Sequence, residues 1–344
     1  MTFQHRSASF RQLVLPILAL ALMAVFTLLA SPASAQEFTL KFATQTINDI
    51  QHEYMKVFKT ELEKASNGKI KVEIYPASQL GNFQRMMEGI RLGTIEAIIA
   101  PAEFYVAVDP RYQAIAMTGI WGPNEHAIKV LNLPETRKTI ASLGEGKGYV
   151  TASLLPYDTQ LIGSKTPITK LADFAGKRIR VLASEAEQAQ VKALGASTVP
   201  MALQEVLPAL QQGTIDGVNA VMTVFTAFRY YDSAPNILET RLWSLISTTA
   251  ISKTFLDKLP PDLQKIVTET AVKIEPQINQ WQVARLAADR DVWTKNNGKF
   301  VKLSDAEQAE AQKRVLEAIQ PMFAKDAGLK AFYDKLKTLA ASVK

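Results

Sequence analysis

Gly176-Lys-Arg-Ile-Arg-Val181, a helical run to Leu194-Gly195-Ala196, Ser197-Thr-Val-Pro-Met201, a second helical run, and Gln211-Gln-Gly-Thr-Ile-Asp-Gly-Val-Asn-Ala220 decide the fold class. β-Branched residues fill the short runs, and Gly or Pro stands at the joints. That order reads strand, helix, strand, helix, strand. Such alternation implies an α/β protein whose parallel sheet is covered by helices.

Within the first of these strands Ile179 and Val181 alternate with Arg178 and Arg180, so the arginines share a face. Arg178 opens the strand and Arg180 stands near its end. Ligands of open α/β sheets bind beyond the carboxyl ends of strands, so Arg180 is the arginine placed to meet one. Its guanidinium offers a rigid fork of donors that matches a carboxylate with two parallel bonds. The other reading of the same residue is a structural bridge to a neighbouring Asp or Glu.

The stretch Ile168–Ala220, with Ala172-Asp-Phe-Ala-Gly-Lys-Arg-Ile-Arg-Val181, Leu194-Gly-Ala-Ser-Thr-Val-Pro-Met-Ala202, Glu205-Val206 and Ile215-Asp216-Gly217, resembles the DctP-type substrate-binding proteins of tripartite ATP-independent periplasmic (TRAP) transporters. Upstream, Leu40-Lys-Phe-Ala43, Gly68-Lys-Ile and Tyr75-Pro-x-x-Gln79-Leu80-Gly81 extend the likeness over essentially the whole secreted chain. The resemblance implies a two-lobed periplasmic-binding-protein fold with hinge strands and a long helix spanning both lobes. It also implies that Arg180 binds the ligand's carboxylate.

The amino terminus is read separately. Arg6 and Arg11 precede an apolar run of about eighteen residues from Leu13 to Ala30, and Ala33-Ser34-Ala35 supplies a small-residue cleavage site. This pattern predicts a secretory signal peptide at residues 1–35, cleaved after Ala35, and a periplasmic protein. The sequence contains no cysteine. That excludes disulfides, thiolate metal sites and a lipid anchor on cysteine. Residues 1–35 hold two arginines and no acids, so 39 basic against 33 acidic residues becomes 37 against 33. Basic residues are interleaved with acidic ones, the pattern of a solvated surface and not of a nucleic-acid interface.

Along the rest of the chain, Phe38–Ala43 and Lys69–Tyr75 alternate as strands, and Gln51–Ala65 is an amphipathic helix stopped by Asn67-Gly68. Met86 to Ala100 and Val206 to Ala220 repeat one plan, a helix closed by Gly93 or Gly213 and running into a strand. Two such copies far apart predict two lobes facing each other across a cleft. Asn124–Ser142 reads as a helical stretch, Tyr149–Leu155 as a strand, and Leu155–Thr159 as the crossing into the second lobe. Trp243–Ile251 reads as a returning strand, and Pro260–Asn296 as one long helix kinked at Pro276. The chain is then divided into lobe I, residues 36–156 with roughly 247–285, and lobe II, residues 157–246 with roughly 286–344. Ser304 and Glu307 form a capping-box pattern.

Chemistry has little to work with. His52 and His126 have no carboxylate or cysteine at ligand spacing, and no Gly-x-Ser-x-Gly, His-Glu-x-x-His or Gly-x-Gly-x-x-Gly occurs. Binding is therefore expected in place of catalysis, with no cofactor and no metal. The resemblance implies further contacts at Gln45 and Gln160, and Asn219 precedes Ala220 where relatives carry Asn. Positions charged in sugar-acid binders fall on Phe83, Pro101 and Phe104, and Leu203 takes the place of a helix-start aromatic. Phe83, Phe104 and Trp243 fit equally well in a core. A pocket with apolar walls does not repay the burial of many hydroxyls, since an unpaired polar group costs about 1–3 kcal/mol. A small or partly apolar monocarboxylate such as a 2-oxo, branched-chain or aromatic acid is expected over sialic acid. The resemblance also implies TRAP membrane permease subunits as partners, and either a monomer or a dimer through the long helix. Two other classes remain open: a sensing module for a receptor kinase, and a secreted enzyme on the same fold.

Overall fold

The computed structural model of the chain describes residues 37–343, so the expected leader lies outside them. The first part follows the alternation of the sequence: β1 (Phe38–Ala43), α1 (Ile50–Ala65), β2 (Ile70–Tyr75), α2 (Phe83–Leu92) and β3 (Ala97–Pro101). Asp49 caps α1 by accepting the His52 amide hydrogen (3.0 Å). Two 3-10 turns, Ala102–Ala107 and Pro110–Ala116, precede α3 (Asn124–Leu131) and α4 (Pro134–Ala141). The stretch expected as one helix is split because Pro134 supplies no amide hydrogen to the preceding turn and starts a new helix instead.

β4 (Tyr149–Thr159) is longer than the alternation indicated, and β5 (Leu161–Ser164) follows it after a single residue. Next come β6 (Arg178–Val181), α5 (Glu185–Ala193), β7 (Ser197–Pro200), α6 (Leu203–Gln212), β8 (Gly217–Ala220), α7 (Met222–Ala227), β9 (Asn236–Leu238) and β10 (Ser244–Ser252). The chain ends with α8 (Lys253–Leu256), α9 (Pro261–Lys273), α10 (Glu275–Lys295), β11 (Lys299–Val301), α11 (Asp305–Lys325) and α12 (Ala327–Ala341).

These strands form two sheets, in the orders β2-β1-β3-β10-β4 and β11-β9-β5-β8-β6-β7. β1 lies parallel to β2 and β3, and β6 lies parallel to β7 and β8. β4 and β10 pair antiparallel from Tyr149↔Ser252 to Thr159↔Ser244. The chain leaves the first sheet at Gln160 and returns to it at Trp243, and the Gln160 amide donates to the Trp243 carbonyl (3.0 Å). Two adjacent strands therefore connect the sheets. Their register shifts between Leu245 and Ile246, where Tyr157 is the extra residue on β4. A bulge tolerates Pro156 and re-aims the side chain beside it.

The internal echo is structural. α2 and α6 both end on a left-handed glycine, Gly93 at φ 70° and Gly213 at φ 73°. The acid that follows each glycine braces the neighbouring strand. Glu96 accepts the Lys41 amide hydrogen (2.8 Å) and Asp216 accepts that of Arg178 (2.9 Å).

The helix read as continuous over Pro260–Asn296 is broken at Ile274 into α9 and α10, and Pro276 sits in the first turn of α10, where its missing N–H costs nothing. Glu275 ties this break to the first sheet through both Arg137 nitrogens (2.8 Å each) and the Leu154 amide (2.9 Å). Residues 286–344 are also divided between the sheets. α11 packs on α5, whereas α12 buries Leu329, Phe332, Tyr333 and Leu336 with Ile115, Trp121 and Val130 beside the first sheet. The Tyr333 hydroxyl donates to the Thr118 carbonyl there (2.9 Å). At the start of α11, Ser304 accepts the Glu307 amide hydrogen, but the Glu307 carboxylate turns away from a capping box to accept the Leu171 amide (2.6 Å).

Candidate functional site

The carboxyl ends of β1, β3, β6 and β8 converge on a slot between the two sheets, where open α/β folds hold ligands. Its cavity volume is about 40 Å³. Gln45, Pro101, Phe104, Gln160, Arg180, Leu203 and Asn219 all line it, together with Tyr157 and Val224. Gln204 closes one rim: its amide, carried by α6, donates to the Gln45 carbonyl (3.3 Å) and to the Ser78 hydroxyl (2.7 Å).

Arg180 is buried, 2% exposed. Its Nε and Nη2 donate to the Met201 carbonyl (3.1 and 3.0 Å) and its Nη1 to the Asn219 carbonyl (3.4 Å). No carboxylate is ion-paired with it among the described residues. Arg178, by contrast, is the structural arginine. It pairs with Asp216 (2.9 Å), which holds the Asp216 carboxyl below the usual carboxylate range.

A buried polar chain runs beside Arg180. The Asn219 Nδ2 donates both to Glu187 Oε1 and to Gln160 Oε1 (2.5 Å each), and Gln160 Nε2 donates to Glu103 Oε1 (3.2 Å). The other Glu187 oxygen accepts the Leu182 amide hydrogen (2.7 Å). Burial pushes the Glu103 carboxyl well above its ordinary range, and Glu187 adds to the shift. Burial also raises Glu187, against the pull of Arg180, the Asn219 bond and the Leu182 amide. Gln45 Oε1, Asn219 Oδ1 and Glu103 Oε2 are buried without a hydrogen-bond partner. Groups of this kind rarely stay unpaired in folded proteins, and their presence around a slot marks a place for a polar guest.

Two of the expected residues lie elsewhere. Phe83 is buried behind the wall, stacked on Phe104 at 5.3 Å and packed edge-on to Tyr105 at 4.9 Å. Trp243 is buried with Ile162, Leu242 and Leu303 on the second sheet. The sequence reading missed Thr46, Gln51, Tyr157, Glu103 and Glu187. Thr44 donates to Gln51 Oε1 (2.5 Å), Gln51 Nε2 donates to Ser247 (3.0 Å), and the Tyr157 hydroxyl donates to Asp49. Glu187, three residues past the helix cap Ser184, carried a usable signal, since a charged residue on the inner side of a sheet-covering helix needs a buried partner. His52 and His126 each accept a backbone amide hydrogen through Nδ1, from Asn48 and Gly122. Among the described residues no group of His, Asp and Glu stands at metal-binding spacing, and no helix is long and apolar enough to cross a membrane.

Residues 43–326 match the family described as bacterial extracellular solute-binding protein, family 7 (DctP). The chain is 28% identical over 243 residues to the 2,3-diketo-L-gulonate-binding periplasmic protein YiaO of Escherichia coli, covering 70% of this chain and 74% of that one. It is 29% identical over 240 residues to the C4-dicarboxylate-binding periplasmic protein DctP of Rhodobacter capsulatus, covering 69% and 71%. In fold it is similar to a TRAP periplasmic solute-binding protein of Haemophilus influenzae crystallised with L-gulonate, with a TM-score of 0.82, 23% identity, and coverage of 88% of this chain and 99% of that one.

Proposed function

The chain belongs to the bacterial extracellular solute-binding proteins of family 7, and from that premise we propose that it captures an organic acid with one carboxylate around Arg180 and delivers it to a TRAP permease. In this reading the protein works in the periplasm after cleavage at Ala35 and performs no chemistry on its ligand. Residues 36–156 with 247–285 and residues 157–246 with most of 286–344 close over the ligand as two lobes, flexing at Gln160 and Trp243. The closed form is favoured by the ligand because only there do both walls touch it.

The observation that carries the reading is the state of Arg180. A buried guanidinium is costly unless it is paired and hydrogen-bonded. Here three of its five N–H groups go to carbonyl oxygens, and among the described residues no acid is in ion-pair contact with it, although the Glu187 and Glu103 carboxyls lie near enough to act on it. A guest carboxylate supplies both the missing charge and acceptors for the remaining donors. Arg180 is the charged residue among those lining the slot, which supports a monocarboxylate. Gln160, Asn219 and Gln45 are the polar contacts in this reading, while Phe104 and Leu203 form the apolar wall.

The test is a thermal-shift screen over organic acids. A ligand at 100 times its dissociation constant adds about 2.7 kcal/mol of stability, so the cognate monocarboxylate raises the melting temperature and neutral sugars and amines leave it unchanged. A chain that responds only to non-acidic compounds does not have this function.

A further inference from the structure

The orientation of one buried amide points to the chemistry of the ligand beyond its carboxylate. Asn219 is 1% exposed and lines the slot beside Arg180. Both hydrogens of its amide are committed, one to Glu187 Oε1 and one to Gln160 Oε1, and Gln160 is held in turn by Glu103. The second Glu187 oxygen accepts the Leu182 amide hydrogen, so both of its oxygens serve as acceptors here and neither offers Asn219 a donor. These two acceptors hold the Asn219 amide in its present orientation, and its oxygen, which has no partner, is the atom left for a guest. Gln45 also carries an unpartnered oxygen, but among the described residues no hydrogen bond fixes its side-chain amide, so it is free to present either end.

We infer that Glu187 is a positioning residue that makes this slot select hydroxylated monocarboxylates over their oxo counterparts, by holding the Asn219 carbonyl oxygen toward the ligand. The inference rests on the carboxylate-receptor reading above. A hydroxyl next to the carboxylate gripped by Arg180 donates to Asn219 Oδ1. An oxo group at that position sets acceptor against acceptor and leaves both unpaired. Sites built to hydrogen-bond a ligand hydroxyl reject analogues that lack it, because their own buried group is then left without a partner. The 2-oxo acids expected from the sequence are accordingly the disfavoured members of each pair.

The experiment is calorimetric titration of the full mature chain with matched acids that differ in this one group. The pairs are lactate with pyruvate, 2-hydroxyisovalerate with 2-oxoisovalerate, mandelate with phenylglyoxylate, and gluconate with 2-ketogluconate. In every pair that binds, the hydroxy acid binds the wild type at least tenfold tighter. Glu187→Gln replaces one fixed acceptor with a donor, which lets Asn219 turn its NH2 to the ligand, so the ratio falls to about one or inverts. A residue that merely stabilised the wall would lower both affinities and leave the ratio unchanged. Asn219→Ala removes the acceptor itself and carries the same ratio test if Glu187→Gln does not fold. An oxo acid that binds the wild type as tightly as its hydroxy partner overturns the inference, as does a ratio unchanged in a folded variant. Silence from every acid in wild type and variants alike overturns the carboxylate reading and takes this inference with it.

Discussion

At the scale of single residues, burial rather than proximity in sequence decides what each charge does. Arg178 and Arg180 are two positions apart on β6, yet one is half-exposed and tied to Asp216 while the other is buried and bonded only to carbonyl oxygens. Alternation along the strand foretold a shared face, but it carried no information about which acid, if any, would lie within reach. Asp158 illustrates the same rule with a consequence for stability. Burial, with Glu239 nearby, pushes its carboxyl up to about 7 despite the Thr159 amide bond and Arg290. An aspartate titrates near 3.9 in the unfolded chain. Between those two values the folded protein binds more protons, so this group's contribution to stability falls as pH rises from about 4 to 7, and the loss is complete above that window. Asp158→Asn keeps an acceptor for the Thr159 amide and removes the ionisation. It is expected to stabilise the protein at pH 8 by on the order of 1 kcal/mol and to change little at pH 4. Thermal melts at the two pH values check this, and a variant less stable than wild type at pH 8 contradicts it.

At the scale of elements, the helix–glycine–strand units were the most legible part of the chain, because a left-handed cap leaves a direct mark in sequence as glycine. Their energetics differ in a way the sequence does not record. A Cβ on Gly93 would stand 2.8 Å from Thr254 Cγ2, whereas one on Gly213 would meet only the flexible Lys165 Nζ at 3.7 Å. Both positions have positive φ, so alanine at either costs about 1–2 kcal/mol of backbone strain. Gly93→Ala adds a clash and is expected to be the more destabilising of the two. Denaturant unfolding of both variants measures the difference, and equal losses would show that Thr254 yields freely. The elements misread from sequence share one cause. The alternation ends β4 before Pro156 and the periodicity carries one helix, kinked at Pro276, over Pro260–Asn296, since the effect of a proline depends on whether its position needs an amide hydrogen. That need is set by the bulge at Tyr157 in one case and by the break at Ile274 in the other.

At the scale of the whole molecule, the two sheets, their paired connecting strands and the slot at their carboxyl ends follow from the βα alternation. The floor of the slot followed less well. Gln45, Phe104, Gln160, Arg180, Leu203 and Asn219 were found because they stand at strand ends or helix starts, or through resemblance to relatives. Glu103 and Glu187 escaped because Gln160 and Asn219, the side chains that join them to the slot, are 57 and 32 residues away from them in sequence. Phe83 and Trp243 show the converse, aromatic residues close to the site in sequence that the fold turns into cores. Gln204, with its bonds to Gln45 and Ser78, joins α6 to the rim of the first sheet, so the slot is a property of both sheets together.

The claim on which all of this depends is that Arg180 grips the carboxylate of the guest. Calorimetric titration of wild type and Arg180→Ala with the acid that gives the largest thermal shift tests it most directly. Removing one member of a buried charge pair costs about 2–5 kcal/mol, so the variant is expected to bind roughly thirtyfold weaker or worse while its circular dichroism spectrum stays that of the wild type. A folded Arg180→Ala protein with undiminished affinity for that acid would contradict the account.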